Sequence, residues 1–358
     1  MNSGGSRIEA QVNGMDSSNL FLKACRREAV PRTPVWFMRQ ACRYMKEYRA
    51  LRARHTLLEL CRTPELAAAI TLQPVEKLSI DAAIIFADLL LPAQAMGMKL
   101  EFVEGEGPVL SPALQSAKEI RSLRNATDGE LGYVGDAIRM VCGELQGKLP
   151  VIGFSGAPFT LASYMVEGAA SRDFARTKTL MYSEPALWQE LMEKLVGLLT
   201  TYLASQKAAG AAALQIFDSW VGCLSPQDYR RYVMPHSRKL IANVKPLGVP
   251  IIHFGTGTAT LLELMREAGG DVIGLDWRVE LSDGWKRVGY DVAIQGNLDP
   301  VVLMGPQEYI RERVDEILRA AHGRPGHIFN LGHGILQHTP VENVQAVVER
   351  IHNFRLES

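Results

Sequence analysis

The chain has 358 residues, 47% of them hydrophobic, and its 39 basic residues (Lys and Arg) equal its 39 acidic residues (Asp and Glu) in number. A chain of this length can bury a large core, either as two ordinary domains or as one α/β barrel with insertions. The zero net charge provides no global field that would attract nucleic acid or a membrane surface, so any anion site must be local.

Five cysteines are scattered along the chain, and no two of them form a Cys-x-x-Cys pair. An odd number without paired spacing argues against a disulfide framework and against a cysteine-rich zinc site. It fits a reducing compartment, so we expect a cytoplasmic protein. The cysteines are Cys25, Cys42, Cys61, Cys142 and Cys223.

Residues 1–17 are rich in Gly, Ser and Asn and have no apolar segment, so they do not resemble a signal peptide. We expect a disordered tail there, with Met15 as an alternative start. The most apolar stretch, Ala82–Met98, is interrupted by Asp88 and Pro92 and is too short to span a bilayer. The sequence therefore predicts a soluble protein with no membrane partner.

The first apolar run, Val35–Met38, is followed directly by Arg39, Gln40 and Arg43. A strand that ends in a charged loop holds these side chains at a rigid edge, where binding groups are common. If the backbone after the run is helical, the two arginines share a face, and with no acid between them they need an anion such as a carboxylate. The alternative is a solvated basic turn whose charges form surface pairs.

Apolar, β-branched runs recur along the chain and alternate with segments of helical pattern. They are continuous runs rather than polar–apolar alternations, as expected for strands buried on both faces of a parallel sheet. We predict eight strands, near residues 34–38, 82–87, 150–154, 213–217, 250–254, 271–275, 291–294 and 327–331.

Helix start signals lie between these strands: Thr63-Pro64, Ser183, Ser225-Pro226, and capping-box spacing in 127–130 and 339–342. Strands and helices in alternation predict a (β/α)8 barrel. An open doubly wound sheet is the alternative, but it requires a Gly-rich fingerprint after the first strand, where Arg39-Gln40-Ala41 stands instead.

The segment Lys99–Leu110 predicts a hairpin inserted after the second strand, with Gly105 and Gly107 near its turn. No internal repeat or interdomain linker is evident. We therefore predict one domain over 18–358, an α/β fold of the (β/α)8 TIM-barrel type with this small insertion.

Polar residues or glycines follow nearly every predicted strand. Because a barrel gathers its chemistry at the C-terminal ends of its strands, they predict a roomy polar cavity at one mouth. In chain order the side chains are Arg39, Arg43, Asp88, Tyr164, Glu167, Asp218, Ser219, His253, Asp276, Asn297, Asp299 and His333.

Asp88 is the sharpest candidate, because its neighbours in sequence are apolar. Burial should raise the pKa of its carboxyl group unless donors or a cation offset the desolvation. Such a carboxylate can gather several N–H donors or stabilise a developing positive charge. The alternative is a structural carboxylate that caps the following helix.

The other candidates also have structural alternatives. His333 lies between two glycines, where the backbone can approach a ligand, but it could be a core imidazole bonded to a carbonyl. Tyr164 could be a buried aromatic residue, and Asp218 and Asp276 could pair with basic residues.

The turn 255–257 is a weak phosphate-binding signal, and hydrolase and P-loop motifs are missing from the sequence.

Seven blocks of sequence, in order from about Asn19 to the C-terminus, resemble the uroporphyrinogen decarboxylase family of haem-pathway enzymes. The first and third blocks resemble the two signature regions of that family. The blocks are PVWFMRQACRY, IIFADLLLPAQAMG, GFSGAPFTLASYMVEG, IFDSWVG, GLDW, QGNLDP and NLGHGI.

The resemblance implies a cytoplasmic homodimeric carboxy-lyase on a (β/α)8 barrel that needs no cofactor or metal. Its substrate would be uroporphyrinogen III, a cyclic tetrapyrrole with eight carboxylates, whose four acetate side chains lose CO2 to give coproporphyrinogen III. Carried over by motif position, Asp88 would bind the central pyrrole N–H groups. Arg39 and Arg43 would hold carboxylates, with Arg39 a candidate proton donor. Substrate contacts are also implied for Gln40, Tyr164, Ser219 and His333.

The chemistry of these residue types agrees with that activity. Loss of CO2 leaves carbanion character, and a protonated pyrrole ring supplies the electron sink without pyridoxal, thiamine or a metal. Asp88 would stabilise the positive charge on the ring. An arginine beside the departing carboxylate stabilises the ground state and opposes the reaction. A guanidinium group, with a pKa above about 12, is also a weak acid.

Two positions depart from the family pattern, which usually has glycine where Cys42 stands and proline where Lys46 stands. The Cys42 side chain could narrow the pocket or shift the loop between the arginines. Lys46 removes a ring that would fix the turn. Both bear on rate and fine specificity rather than on the class of reaction.

Two other functions stay open. Zinc- and corrinoid-dependent methyltransferases on the same barrel use a His-x-Cys pair, whereas this chain has His253-Phe254-Gly255 and no cysteine after Cys223. Their zinc ligands are therefore missing. The second is a non-catalytic tetrapyrrole-binding homologue, a possibility raised by Cys42.

Overall fold

The computed structural model describes residues 19–103, 105, 107–125 and 128–356. The expected tail at 1–17, the alternative start at Met15 and the expected capping residue Thr127 lie outside the described residues. Within the described part, no helix is long and apolar enough to cross a membrane.

The described chain alternates strands with helices. The strands are β1 Ala83–Ile84, β2 Lys99–Val103, β3 Gly107–Ser111, β4 Val151–Gly156, β5 Ala213–Asp218, β6 Ile251–Gly255, β7 Val272–Gly274, β8 Ala293–Gln295 and β9 His327–Ile328. The helices α1–α8 are Leu20–Cys25, Lys46–Arg52, Leu57–Arg62, Pro64–Leu78, Leu91–Ala95, Ala117–Ser122, Gly132–Leu145 and Pro158–Glu167. The helices α9–α16 are Ala175–Ser183, Pro185–Ala208, Pro226–Asp228, Met234–Val244, Leu262–Ala268, Leu281–Val288, Gln307–Ala320 and Val341–Asn353.

Seven of the strands in the described residues form one parallel sheet in the order β1-β4-β5-β6-β7-β8-β9. Each of them coincides with a predicted strand, so the mixed α/β class is confirmed. The sheet is curled, because side chains of separated strands meet inside it: Gln295 Nε2 on β8 donates to Gln215 Oε1 on β5 at 3.1 Å. Trp36 Nε1 donates to Gln295 Oε1 at 3.0 Å and extends this chain of hydrogen bonds.

The predicted strand at 34–38 is not a regular strand in the structure. It makes one isolated parallel bridge, between Val35 and Phe329 next to β9. Phe329 N donates to Pro34 O at 2.9 Å, and on the other side Asp81 N donates to Val35 O at 2.8 Å. The segment therefore lies between the two ends of the sheet and is bonded to both sides.

Strands β2 and β3 pair antiparallel, from Lys99 opposite Ser111 to Val103 opposite Gly107. This two-stranded unit is attached to the region of α8, because Leu110 N donates to Gly168 O at 2.7 Å. The chain following β1 thus reaches the helix that follows β4.

The predicted helix starts are partly confirmed. The Ser225 side chain accepts from Asp228 N, as expected for an N-cap, and α4 begins at Pro64. The capping box predicted from Thr339 is wrong, because Pro340 is the N-cap residue of α16 and has no side-chain donor or acceptor. Ser183 is the last residue of α9 rather than the start of α10. Local spacing found the helices, but it placed the first residue of a helix one or two positions too early where a proline defines the start.

Asp81 fixes the 34–38 segment to the rest of the fold. Its two carboxyl oxygens accept from the two terminal nitrogens of Arg32 at 2.7 Å each, and Oδ2 also accepts from Val35 N at 2.8 Å. His352 Nε2, on α16, lies 3.6 Å from the same oxygen. Burial alone would raise the pKa of Asp81, but the contacts with His352 and Arg32 outweigh it and lower the pKa below 3.8.

We predict that Asp81→Asn lowers the free energy of unfolding by about 2 kcal/mol, because a buried charge-assisted contact is lost. Asp136→Asn, which breaks an exposed pair with Arg139, is the control and should change it by less than about 1 kcal/mol. Urea unfolding measures both. Because the folded pKa is depressed, the wild-type contribution is present above the ordinary value of 3.8 and is lost as the pH falls below it. Equal effects of the two substitutions would contradict this assignment.

Candidate active site

One cavity of about 570 Å³ lies at the C-terminal ends of the parallel strands. All seven side chains that the family resemblance implies as site residues line it, whereas Glu167, Asp218, His253, Asp276, Asn297 and Asp299 do not. The seven are Arg39, Gln40, Arg43, Asp88, Tyr164, Ser219 and His333. The strand ends therefore bring together residues that are far apart in the chain, as parallel α/β sheets do.

The two arginines extend from a loop, not from a helix, so a shared helical face is not the reason that they meet. The backbone from Met38 to Met45 forms turns, and α2 begins only at Lys46. Arg43 Nη1 donates to Gln337 Oε1 at 3.3 Å. Among the described residues, the Arg39 guanidinium has no hydrogen bond or ion pair. Both cations are solvent-exposed and border the cavity, so they are free to bind an anion.

Arg39 also has an unusual backbone, with a φ of 59° in the left-handed region. This conformation costs a residue with a Cβ atom roughly 1 kcal/mol. Of the residues that the structure describes as lining the cavity, Arg39 alone combines a side chain with such a φ. Strain of this kind is found where the surrounding structure dictates the conformation, commonly at functional sites.

Gln40 is fully buried, and its amide is engaged by the backbone. Its Oε1 accepts from Phe37 N at 3.1 Å, and its Nε2 donates to Ala82 O at 3.2 Å. Its own carbonyl accepts from the Tyr44 hydroxyl at 2.7 Å. The side chain therefore holds the arginine loop in place, a role that the sequence alone did not indicate.

Asp88 lies in the loop between β1 and α5 and is half-buried. Its Oδ1 accepts from Leu90 N at 2.9 Å, next to the start of α5. One of its two oxygens therefore has the capping role that was the structural alternative. Within the described chain, Oδ2 has no hydrogen-bond donor. Burial raises the pKa of the carboxyl group, while the Leu90 N–H and the charge of Arg39 lower it only in part. The carboxyl group is thus ready to gain a partner that donates or carries positive charge.

Two neutral hydrogen-bonding groups face the same cavity. Tyr164, on α8, packs its ring edge-on against Trp220 at 5.6 Å, and burial together with the charge of Asp88 raises the pKa of its hydroxyl to about 12. Burial, then the charges of Arg39 and Arg278, lower the pKa of His333 to about 4. At neutral pH both side chains are therefore uncharged.

Asp218 and Asp276 serve the structure instead. Asp218 is fully buried behind the sheet, where its Oδ1 accepts from Thr160 Oγ1 at 3.2 Å and its Oδ2 faces His253 Nε2 at 3.8 Å. Asp276 accepts from Gly257 N at 2.6 Å and pairs with Arg278. The N–H of Gly257 is thus occupied by a carboxylate and is not available to a phosphate.

An aromatic wall that sequence analysis did not single out completes the cavity. Phe217 lies edge-on to Phe154 at 5.6 Å and to Phe254 at 5.9 Å, and these three residues come from adjacent strands. Each of the three is the last residue of a predicted strand, and this position was a usable signal. Phe102 and Pro108, from β2 and β3, line another side.

The cavity therefore combines apolar walls with exposed cations and one acid of raised pKa. Sites of this type suit a ligand that combines an apolar body with acidic groups and hydrogen-bond donors. Among the described residues, no group of three or more His, Cys, Asp or Glu side chains is arranged to hold a metal ion.

Comparisons with known proteins give one family. The family model described as "Uroporphyrinogen decarboxylase (URO-D)" matches residues 16–354. A relative from Solibacter usitatus named "Uroporphyrinogen decarboxylase" is 56% identical over 335 residues, covering 94% of this chain and 97% of the relative. A relative of the same name from Koribacter versatilis is 54% identical over 338 residues, covering 94% and 96%.

A solved structure, a methyltransferase from Methanosarcina mazei, has a TM-score of 0.77 and 19% sequence identity, covering 93% of this chain and 97% of that one. At this identity the similarity concerns the fold alone. The fold is therefore shared by proteins that are named for different reactions.

We predict that the His333 imidazole stays neutral at neutral pH and titrates near pH 4. Because the charge of Arg39 lowers this pKa, Arg39→Ala should raise it. The measurement is an NMR titration of histidine ring nitrogens, with His333→Gln used to assign the signal. An unchanged His333 pKa in the Arg39→Ala variant would show that the two groups do not interact.

Proposed function

Since the chain belongs to the uroporphyrinogen decarboxylase family, we propose that the cavity at the strand ends is where uroporphyrinogen binds and loses CO2. The activity is that of a decarboxylase of porphyrin and haem biosynthesis, as the matches to curated relatives over most of the chain establish. In the reaction, four acetate groups of uroporphyrinogen III become the methyl groups of coproporphyrinogen III. The proposal concerns the residues of this chain that perform it.

The observation that carries the residue assignment is the state of Asp88. One carboxyl oxygen is fixed by Leu90 N, and the other lacks a donor in the described chain, in a cavity with apolar walls. The pyrrole N–H groups at the centre of a porphyrinogen are the donors that this oxygen needs. Their binding would offset the desolvation of the carboxylate and return its pKa toward the ordinary value.

Each decarboxylation takes up one proton and releases one CO2. Protonation of a ring carbon places positive charge on the pyrrole nitrogen, and the electron pair of the breaking C–CO2 bond then neutralises that charge. This leaves an exocyclic methylene group. The methylene carbon gains a proton and becomes a methyl group, and the ring carbon then loses the proton that it had taken up. Asp88 would stabilise the cationic ring more than the neutral one, which lowers the barrier. Because the sink lies in the substrate, the proposal includes no cofactor.

The cations at the cavity edge would hold the carboxylates. Arg43 is steadied by Gln337 and is assigned to a carboxylate that does not react. Arg39 would bind a carboxylate near Asp88, whose pKa its charge already lowers. We retain it as the candidate proton donor, although a guanidinium with a pKa above about 12 is a weak acid.

The neutral side chains would complete the binding of the substrate. Tyr164 and Ser219 can donate hydroxyl hydrogen bonds to carboxylates, and His333 can donate one ring N–H without adding charge. Gln40 borders the cavity, and its main contribution would be to hold the arginine loop.

The finer architecture belongs to the same proposal. The bridge between Val35 and Phe329 and the hydrogen bond from Asp81 N to Val35 O support a closed (β/α)8 barrel with the 34–38 segment as its first member. The β2–β3 pair would be a small insertion in a single domain over 18–358. From the family, we further propose a cytoplasmic homodimer. The zero net charge supports the proposal that it binds no nucleic acid.

The alternative function, a tetrapyrrole-binding protein without catalysis, is tested by the same assay as the residue roles. The protein is incubated anaerobically with uroporphyrinogen, and the loss of carboxyl groups is followed by chromatography. We predict that Asp88→Ala lowers kcat/KM at least about 100-fold, as removal of one stabilising group does elsewhere. Asp88→Glu should lower it far less, because the acceptor is displaced rather than lost.

Asp88→Asn is the matched control for the capping role. It keeps an oxygen for Leu90 N but removes the charge, so it should unfold in urea like the wild type and still lose activity. A nearly normal rate for Asp88→Asn would show that the cap is all that Asp88 provides. Binding of uroporphyrinogen by the wild type without release of CO2 would favour the non-catalytic reading.

We predict that Arg39→Lys lowers kcat/KM by about 10-fold or more although the charge is kept, because an ammonium group cannot make the two parallel hydrogen bonds of a guanidinium. Arg62→Lys, a similar change of an exposed arginine outside this cavity, is the control. If both variants match the wild type, a point charge is sufficient at position 39.

A further inference from the structure

Gly334 leaves a space that the Arg39 side chain fills. A Cβ atom added to Gly334 would lie 2.3 Å from Cδ, 2.5 Å from Cγ and 3.0 Å from Cβ of Arg39. Non-bonded carbon atoms normally stay about 3.5–4.0 Å apart. The three atoms belong to the root of the arginine side chain, so a rotation of its terminal bonds would not relieve the overlap.

The backbone beneath Arg39 is anchored and cannot move aside as a unit. Met38 N donates to Asn330 Oδ1 at 3.1 Å, and Met38 O accepts from Ile335 N at 3.0 Å. The Asn330 oxygen also accepts from Leu331 N at 2.8 Å, so it joins the turn after β9 to the arginine loop. On the other side of Arg39, the buried amide of Gln40 is held as described above.

The guanidinium itself has no partner that could direct it. Among the described residues it forms no hydrogen bond or ion pair, yet its charge acts on Asp88, Tyr164 and His333. Its direction therefore depends on how the first carbons of the side chain leave the backbone. Those carbons run over Gly334.

We propose that Gly334 is a positioning residue for the reaction, because the lack of a side chain there lets Arg39 extend over the turn and into the cavity. Asn330 keeps the two turns in register. The inference rests on the proposed role of Arg39, and it assigns a chemical purpose to a glycine that contributes no functional group.

The test is a double-mutant cycle on kcat/KM for uroporphyrinogen with Gly334→Ala, Arg39→Ala and the double variant. Gly334→Ala alone should lower kcat/KM by about 100-fold, the effect of displacing a catalytic group by an ångström. In the Arg39→Ala background, which lacks Cγ and Cδ, Gly334→Ala should cause no more than about a twofold further change. An equal loss in both backgrounds would overturn the inference.

The cycle separates this inference from the function on which it rests. If Arg39→Ala is as active as the wild type, the proposed role of Arg39 fails. If Arg39→Ala is impaired and the two losses multiply, only the role of Gly334 fails. Gly305→Ala is the control, since its Cβ would meet Val302 O at 3.2 Å and the Tyr309 ring at 3.6 Å and not Arg39. It should stay within about twofold of the wild type in either background.

A second readout does not depend on turnover. Displacement of the Arg39 charge should shift the NMR titration of His333 in Gly334→Ala, and adding Gly334→Ala to Arg39→Ala should cause no further shift. If Gly334→Ala fails to fold, Arg39→Ala in the same chain should restore the unfolding midpoint, because the two closest overlapping carbons, Cγ and Cδ, are gone. An unchanged His333 titration in a folded Gly334→Ala, or no restoration, would contradict the role of Gly334.

Discussion

The cavity depends on one seam, where the 34–38 segment is hydrogen-bonded to the turn after β9. Phe329 N donates to Pro34 O, Met38 N to Asn330 Oδ1, and Ile335 N to Met38 O. These bonds join the beginning of the described chain to its end, and they place Arg39 beside Gly334. Both arginines and His333 follow the segments that these bonds join, so the same contact that stabilises the fold also sets the geometry of the cavity.

Two carboxyl groups near this seam have pKa values shifted in opposite directions, one outside the cavity and one inside it. Outside the cavity, the Asp81 carboxylate accepts hydrogen bonds from Arg32 and Val35 N and lies beside His352, and its pKa is lowered. Inside, Asp88 has a raised pKa and one oxygen without a donor in the described chain. Asp81 is thus paired within the fold, whereas Asp88 keeps an oxygen without a donor in the described chain, and the proposed function assigns that oxygen to a ligand.

Sequence reasoning worked where the signal was local. Continuous apolar runs located the seven strands of the sheet, and the residues after them located the cavity, because parallel strands present their C-terminal ends on one side. It failed where the cause was distant in sequence. The turn at Arg39 is not helical because Asn330 and Ile335 fix the preceding residue, and the amide of Gln40 is turned away by Ala82. No periodicity encodes such contacts, nor the space that Gly334 leaves.

The two residues expected to depart from the family pattern, Lys46 and Cys42, do not break these contacts. Lys46 is the first residue of α2, a position where proline is favoured because its missing N–H has no helical partner, so lysine gives up rigidity and breaks no bond. Cys42 is half-buried at the cavity wall, and its carbonyl accepts from Met45 N at 3.0 Å, a contact that any residue can make. The hydrogen bonds of Met38 and Gln40 do not involve Cys42, so the thiol adds volume to the wall without breaking them. Under the proposed function, the departure would bear on rate and fine specificity rather than on the class of reaction.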